Sequence, residues 1–213
     1  LRELEAQLGV TLFHRTTRQR TLSPAGQAWL PRAQRLLQDM TAAVSALHSP
    51  DQTLSSTVSI AVGTALGCTL MPGVLALLRD THPGLRLRLI DDNSAGITAR
   101  TARGEVDIGI GSAVGDTTRL HCTRLLSAPI GLLALAERFA LGPSMDLREL
   151  GALPLLKEPA DTSIAQALAA QGSDVMDWMN QGTEVSSLAL QLALAQAGLG
   201  VAVVSALGAS HPG

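Results

Sequence analysis

Apolar positions at three- and four-residue steps predict two helices in the first fifty residues. In the first helix, Leu1, Leu4 and Leu8 share one face, and Gly9 follows them as a helix stop. The second is one long amphipathic helix over 25–47, because an apolar stripe continues along its C-terminal half. The stripe consists of Ala33, Leu36, Leu37, Met40, Ala43, Val44 and Leu47.

A proline lies inside the long helix, and a polar segment follows it. Pro31 is about two turns from the helix start and is expected to bend the helix or delay its regular part. Segment 48–57 is polar and contains Pro50, which predicts a hinge between domains. The apolar stripe needs a covering surface, either a second molecule or the helix's own chain.

Beyond the hinge, strand-like and helix-like segments alternate in two blocks. The first block predicts strands over 58–62, 85–90 and 106–110 and helices over 67–81 and 95–103. The second predicts strands over 123–126, 130–135, 153–156 and 201–204 and helices over 163–170 and 186–197. The alternation in the first block implies a parallel sheet covered on both faces. The two blocks together give an expected fold class of α/β with two lobes in series.

Composition places the chain among globular proteins with an aliphatic core. Its 213 residues are 46% hydrophobic, with a mean hydropathy of +0.24. Tyr is absent, and Phe and Trp occur twice each, which argues against a stacking platform for single-stranded nucleic acid. No apolar run reaches the roughly 18 residues of a membrane span, and no signal-peptide layout opens the chain. We therefore expect a cytoplasmic protein without membrane contact.

The net charge of −2 conceals an asymmetry along the chain. Residues 1–50 contain six arginines and three acids, whereas the remainder contains ten basic and fifteen acidic residues. Between Thr11 and Leu37 there are five arginines and no acid. A basic end on a mildly acidic body indicates a phosphate-binding surface confined to the N-terminal part, although a solvated helix face is the alternative.

Four stretches of sequence carry a resemblance to a known family. They are LRELEAQLGVTLFHRTTRQRTLSPAG at the start, then HPGLRLRLIDDNS, GEVDIGIG and finally AQAGLGVAVVS. Together the chain resembles the LysR-type transcriptional regulators over nearly its whole length. The resemblance implies a winged helix-turn-helix, a linker helix that dimerises, and a two-lobed effector domain like a periplasmic binding protein.

The resemblance divides the chain into four parts. Residues 1–24 correspond to the end of the recognition helix and the wing, 25–47 to the linker helix, 48–57 to the hinge and 58–213 to the effector-binding domain. Within that domain, lobe I is expected over 58–120 and lobe II over 121–204, with a truncated return to lobe I after 205. The chain is therefore expected to be a fragment that opens part-way through the recognition helix.

The predicted DNA contacts lie on the recognition helix and the wing. Arginine guanidinium groups and hydroxyls are good phosphate ligands, and arginine also suits a narrow minor groove. The candidates are Arg2, Arg15, Thr16, Thr17, Arg18 and Arg20. The resemblance places the main base-reading residues earlier in the recognition helix than Leu1.

The predicted effector contacts lie where strands give way to helices. Such turns present amides and hydroxyls at helix N-termini, and open α/β sheets bind ligands at strand carboxyl ends. The resemblance assigns the effector crevice to Thr64, Ala65, Leu66, Ser94, Ser112, Glu158, Thr162 and Ser163. Leu66 and Cys68 would make the mouth partly apolar, which indicates a small organic anion.

No residue pattern favours catalysis, a metal or a cofactor. Asp91 and Asp92 are adjacent at a strand end and are expected to point in opposite directions, which argues against paired acid/base work. Gly109-Ile110-Gly111 and Gly198-Leu199-Gly200 complete no nucleotide motif and are interpreted as close-packed ends of elements. Cys68 and Cys122 are expected to be reduced and semi-buried. The five histidines lack metal-ligand spacing.

The preferred interpretation is a LysR-type regulator that is not an enzyme. Its expected partners are double-stranded DNA, a small-molecule effector and further copies of itself in a homodimer or homotetramer, with RNA polymerase as a candidate partner. One alternative is a solute-binding protein of the same two-lobed fold that does not bind DNA. Another is an enzyme on that fold, for which the crevice would need a cluster of titratable residues.

Overall fold

The computed structural model describes residues 1–15, 20–48 and 57–210. Its N-terminal unit begins with helix α1 (Arg2–Leu8), which ends at Gly9. Gly9 has a φ of 66°, in the left-handed region that glycine adopts without strain. The predicted first helix and its glycine stop are therefore confirmed.

A short hairpin joins this helix to the long helix. Strands β1 (Phe13–Arg15) and β2 (Arg20–Leu22) pair antiparallel. Helix α2 (Pro24–His48) follows and runs continuously through Pro31. The predicted helix over 25–47 is thus confirmed to within one residue at each end, while most of the predicted hinge lies outside the described residues.

The first lobe contains a three-stranded parallel sheet with helices on both faces. In chain order its elements are β3 (Thr57–Val62), α3 (Thr64–Thr69), α4 (Met71–Thr81), β4 (Arg86–Asp91), α5 (Ser94–Ala102) and β5 (Ile108–Ile110). The strand order is β4-β3-β5. Ile60 and Val62 pack with Met71 on one face, while Ala61 packs with Ile97 and Val106 on the other. Alternate residues of β3 thus fill two separate core layers.

The second lobe contains a four-stranded mixed sheet. Its elements are β6 (Ile130–Leu133), α6 (Leu147–Leu150), β7 (Leu155–Lys157), α7 (Ser163–Ala169), α8 (Ser173–Gln181), β8 (Thr183–Glu184), α9 (Leu188–Gln196), β9 (Val201–Ser205) and α10 (Ala206–Ala209). The strand order is β6-β9-β7-β8. Val201 and Val203 pack towards Trp178, while Ala202 and Val204 pack towards Leu192. Helix α10 then lies close to α3 of the first lobe.

Two predicted elements of the first and second blocks are wrong. The helix predicted over 67–81 is two helices, because α3 ends at Thr69 and α4 begins at Met71. Pro72 lies in the first turn of α4, where its missing N–H costs nothing, but it would break a continuous helix. The strand predicted over 123–126 does not form, and within the described chain no strand pairs with these residues.

The parallel sheet expected for the first lobe is confirmed, whereas the sheet of the second lobe is mixed. β6 pairs antiparallel with β9, although β9 is parallel to β7 and β7 to β8. An antiparallel edge strand is common on an otherwise parallel sheet. Sequence periodicity reports burial along one strand and carries no information about the direction of its neighbour. The amphipathic helix α8 was not predicted, although it buries Val175, Trp178 and Met179.

Candidate functional site

A cleft of about 1510 Å³ lies between the two lobes. The carboxyl ends of β3, β4 and β5 open into it from the first lobe, and those of β7 and β8 open into it from the second. This is the edge at which open α/β sheets bind ligands. The structure brings all eight predicted effector residues to the wall of this cleft: Thr64, Ala65, Leu66, Ser94, Ser112, Glu158, Thr162 and Ser163.

Thr64 stands at the start of α3 with its hydroxyl already engaged. Thr64 Oγ1 donates to the Asp91 carboxylate, at 2.8 Å from Oδ1 and 3.0 Å from Oδ2. Its lone pairs remain available, so the hydroxyl can accept a hydrogen bond from a ligand but cannot donate one without releasing Asp91. Gly63 N donates to the Ile110 carbonyl at 3.2 Å, which holds the turn against β5.

The start of α5 bridges the two lobes. Asn93 caps the helix, with Oδ1 accepting from Gly96 N at 2.8 Å, while its Nδ2 donates to Asp161 Oδ2 of the second lobe at 3.1 Å. Next to it, Ser163 N donates to Ser94 Oγ at 3.3 Å. The first turns of α5 and α7 therefore meet across the cleft.

The second-lobe wall is built around the start of α7. Thr162 Oγ1 accepts from Ala165 N at 3.2 Å and donates to the Pro159 carbonyl at 3.1 Å, so the residue is a helix cap. Burial raises the pKa of the Glu158 carboxyl above its ordinary value, and a hydrogen bond with Thr162 acts in the opposite direction. Burial in the cleft wall therefore disfavours the charged form of this carboxyl.

The adjacent carboxylates of β4 have separate partners. Asp91 accepts from Thr64, whereas Asp92 Oδ2 accepts from Arg100 Nε at 2.6 Å. The carboxylate of Asp92 raises the pKa of Arg100 further above its ordinary value. Although both acids line the cleft, they do not form one acid/base pair, in agreement with the opposite directions expected at a strand end.

The glycines of the GxG segments are required by close packing. A Cβ on Gly109 would lie 2.5 Å from Thr101 Oγ1, and one on Gly111 would lie 2.8 Å from Ile97 Cδ1. A Cβ on Gly200 would lie 2.7 Å from the Pro154 carbonyl oxygen. These contacts support their interpretation as close-packed element ends.

On the N-terminal unit, the predicted DNA contacts are only partly described. Arg2 is exposed on α1, and Arg15 lies opposite Arg20 in the β1–β2 ladder. Thr16, Thr17 and Arg18, also predicted as contacts, lie outside the described residues.

The hairpin is anchored to the helix before it. Glu5 Oε1 accepts from the backbone N–H groups of Leu12 at 2.8 Å and Phe13 at 3.0 Å. A carboxylate that binds two amides fixes the hairpin on α1.

The hairpin also joins the long helix tightly. Ser23 N donates to the Leu12 carbonyl at 2.9 Å, and Ser23 Oγ donates to the Thr11 carbonyl at 2.5 Å. Ser23 Oγ in turn accepts from Gly26 N at 2.9 Å and so caps α2. Leu12 is 2% exposed in this joint. The α1 helix, the hairpin and the start of α2 therefore form one packed unit.

A family model described as LysR substrate binding domain matches residues 51–212. The chain belongs to this family. YfeR of Shigella flexneri, an uncharacterized HTH-type transcriptional regulator, is 29% identical over 217 residues, which cover 100% of the chain and 69% of that protein. CitR of Bacillus subtilis, an HTH-type transcriptional regulator, is 30% identical over 150 residues, which cover 70% of the chain and 52% of that protein.

The fold of this LysR chain also matches a solved structure. A full-length OxyR variant from Pseudomonas aeruginosa superposes with a TM-score of 0.64 at 22% identity, covering 100% of the chain and 69% of that structure. The likeness confirms the predicted two-lobed α/β fold class. The chain spans about half the length of the Bacillus subtilis relatives it matches. Its relatives are named as regulators rather than enzymes.

Two arginines that are not among the predicted effector residues also line the cleft. Arg119 and Arg124 line it, together with His121 and Cys122. Arg124 donates from Nε to Ser127 Oγ at 3.2 Å. These residues lie in the crossing segment, residues 111–129, which connects β5 of the first lobe to β6 of the second. The strand predicted over 123–126 falls in this segment, and no motif marks the two arginines. Their basic character was the only available clue.

The expected burial of the cysteines is wrong. Cys68 and Cys122 are both free, as expected, but both are exposed rather than semi-buried. Cys68 lies in the short helix α3, and Cys122 lies in the crossing segment, where no helix or strand covers it. Among the described residues, no three His, Cys, Asp or Glu side chains are grouped to hold a metal ion. No described helix is both long and apolar enough to cross a membrane.

Proposed function

We propose that the protein containing this LysR chain is a DNA-binding transcriptional regulator that responds to a small organic anion bound in the cleft. The observation that carries the proposal is the continuity of α2, which joins an arginine-bearing hairpin to a two-lobed domain. Regulation of this kind acts on RNA polymerase at a promoter and places the protein in the cytoplasm with its DNA.

The N-terminal unit supports the DNA-binding part of the proposal. Arg15 and Arg20 are opposite each other at the end of a two-stranded ladder, and Arg18 lies between them in the sequence. Together with Thr16 and Thr17, these arginines make segment 15–20 rich in the guanidinium and hydroxyl groups that bind phosphate oxygens. Arg2 is exposed on the preceding helix and is the remaining candidate contact.

The composition of the cleft supports an anionic effector. Arg119 and Arg124 supply positive charge, and α5 begins at Ser94 with its N-terminus at the cleft. Burial raises the pKa of Glu158, so the charged form of this carboxyl is disfavoured at the cleft wall. We assign Thr64, Ala65, Leu66, Ser94, Ser112, Glu158, Thr162 and Ser163 to effector binding.

The exposed stripe of α2 supports a homodimer or homotetramer. Leu36, Leu37 and Met40 are each about two thirds exposed on this helix. Apolar side chains in a row on a helix of this length favour association with a second copy, since burial stabilises by roughly 25 cal/mol per Å² of apolar surface.

The salt dependence of DNA binding tests the proposal. The protein with a complete winged helix-turn-helix is titrated onto a mixed-sequence duplex, and binding is followed by fluorescence anisotropy. The salt concentration is varied between roughly 50 and 200 mM, the range over which affinity that depends on phosphate contacts falls steeply. Replacing Arg15 and Arg18 with Gln should reduce the slope of log K against log salt by about 1.8, because each phosphate contact contributes about 0.9.

The control variant is Arg79→Gln, since Arg79 lies on α4 of the first lobe and not on the hairpin. It should leave the slope unchanged. Weak, salt-independent binding by the parent protein would contradict the DNA-binding proposal and favour the solute-binding alternative. Binding with an unaltered slope in the hairpin variant would show that the hairpin does not contact phosphate.

A further inference from the structure

Helix α5 extends from the cleft to the long helix α2. Its first turn begins at Ser94 on the cleft wall, and the nine-residue helix ends at Ala102. There Arg32 Nε of α2 donates to the carbonyl of Arg103, the C-terminal cap residue of α5, at 3.2 Å. An α-helix rises about 1.5 Å per residue, so α5 connects two points about 14 Å apart.

A chain of ion pairs runs along α5 in the same direction. Arg100 Nε is 2.6 Å from Asp92 Oδ2, and Arg100 Nη1 is 3.0 Å from Glu105 Oε2. The other oxygen of Glu105 is 2.6 Å from Arg103 Nε. Single surface pairs stabilise little, but these four side chains share partners and are partly shielded, with exposed fractions of 21 to 47%. These ion pairs connect Asp92, beside the cleft, to Arg103, whose carbonyl accepts the hydrogen bond from Arg32.

A glycine makes this path possible. A Cβ on Gly96 would lie 2.1 Å from Asp92 Oδ1 and 2.3 Å from Asp92 Cγ. The carboxylate of Asp92 therefore occupies the space beside the first turn of α5 that any other residue at position 96 would fill. From there it reaches Arg100, eight residues further along the chain.

The cleft end of α5 is held by the second lobe. Asn93 Nδ2 donates to Asp161 Oδ2 at 3.1 Å, and Ser94 Oγ accepts from Ser163 N at 3.3 Å. A change in the spacing of the lobes must break or strain these two bonds. The first turn of α5 is thus where movement of the second lobe reaches the first.

The other end of the path leads to the hairpin. Arg32 lies on the same continuous helix as Gly26, whose N–H donates to Ser23 Oγ in the joint with the hairpin. The helix is continuous through Pro31 between these two residues, so displacement at Arg32 can be passed to the joint.

We propose that α5, with the ion-pair chain of Asp92, Arg100, Glu105 and Arg103, transmits changes in lobe spacing to α2 through Arg32. This inference rests on the proposed regulatory function, because it assigns the route from the cleft to the DNA-binding unit. Two sites are coupled only if both bias one shared element, and α5 contacts each. In the alternative, the same ion pairs stabilise the first lobe and transmit nothing.

A double-mutant cycle measured by hydrogen exchange separates these two accounts. Asn93→Asp keeps a good helix cap but places a carboxylate against Asp161, so it forces the lobes apart at this contact. Adding Asp161→Asn restores a donor and an acceptor with their positions exchanged. Mass spectrometry then measures amide exchange in peptides of α2, with Arg32 intact or replaced by Gln.

Transmission through α5 predicts that Asn93→Asp changes exchange in α2 by at least about fivefold, the lower limit of typical coupling between sites. The change should fall below about twofold in the Arg32→Gln background, since coupled residues are not additive. It should persist with Arg79→Gln, which lies on α4. The exchanged pair should return α2 to its original rate.

Three outcomes would overturn the inference. They are no change in α2 on Asn93→Asp, an equal change with Arg32 replaced, and failure of the exchanged pair to restore the rate. If Asn93→Asp unfolds the chain, as judged by circular dichroism, Asn93→Ser removes the amide donor and retains a cap. It then replaces Asn93→Asp in the comparison with Arg32→Gln, without the exchanged pair. The cycle uses neither DNA nor an effector, so its failure is distinct from failure of the proposed function.

Discussion

The joint between the hairpin and α2 should be broken by adding one methyl group at Gly26. A Cβ there would lie 2.1 Å from the Leu12 carbonyl oxygen and 3.0 Å from its carbon. These are backbone atoms, so no side-chain rotation relieves the clash, and the hairpin must move by about 1 Å.

The displacement of the hairpin removes two hydrogen bonds of the joint. They are Ser23 N to the Leu12 carbonyl and Gly26 N to Ser23 Oγ, both at 2.9 Å. Each bond contributes about 1 kcal/mol, so Gly26→Ala should destabilise the hairpin by about 2 kcal/mol. At tenfold for every 1.4 kcal/mol, amides of the hairpin should exchange with solvent about thirtyfold faster.

Hydrogen exchange of a peptide covering 12–23 measures this effect. The matched control is Gly73→Ala in α4, where an added Cβ meets nothing within 4 Å. In a helix this change should stabilise by about 0.5 to 1 kcal/mol and leave hairpin exchange unchanged. If Gly26→Ala changes hairpin exchange less than about threefold, the close approach of Leu12 does not hold the joint, and the reasoning from packing is wrong.

Two further predictions concern the second lobe. Because burial raises the pKa of Glu158, ionisation of this carboxyl destabilises the fold as pH rises from the ordinary pKa of 4.5 through the raised pKa. Glu158→Gln should therefore increase the free energy of unfolding, measured with urea, more at pH 7 than at pH 4, and a pH-independent difference would contradict this. Trp178 is 3% exposed, and its Nε1 donates to the Leu153 carbonyl at 2.7 Å. Trp178→Phe should therefore lower the free energy of unfolding, measured with urea, by about 2 kcal/mol, and a loss below about 0.5 kcal/mol would show that this bond contributes little.

The helices and strands predicted correctly are those whose pattern is local. Gly9 stops α1, and the apolar stripe after Pro24 marks α2, because both depend on backbone conformation and on the period of one helix. No local sequence pattern indicates that β6 runs antiparallel to β9, because its direction depends on where the chain enters the second sheet.

The cleft was predictable as far as it follows from topology. Thr64 and Ser94 each follow a parallel strand, and such strands end at the same edge of the sheet. Arg119 and Arg124 reach the same cleft from a segment without helix or strand, so neither period nor motif located them. The two arginines that line the cleft are therefore residues to which the sequence pattern assigned no role.

By itself, the sequence determined helices α1 and α2, the alternation of strands and helices in two lobes, the basic character of the N-terminal unit and the polar groups at the strand ends. These features depend on neighbours within a few positions. Only the tertiary structure decided that Asp92 pairs with Arg100 across Gly96, and that Arg32 reaches the carbonyl of Arg103, 71 residues away. The physical reason is that contacts between distant residues depend on how packed helices and lobes lie against each other. Hydrophobic periodicity specifies which face of an element is buried but not its position relative to the next lobe.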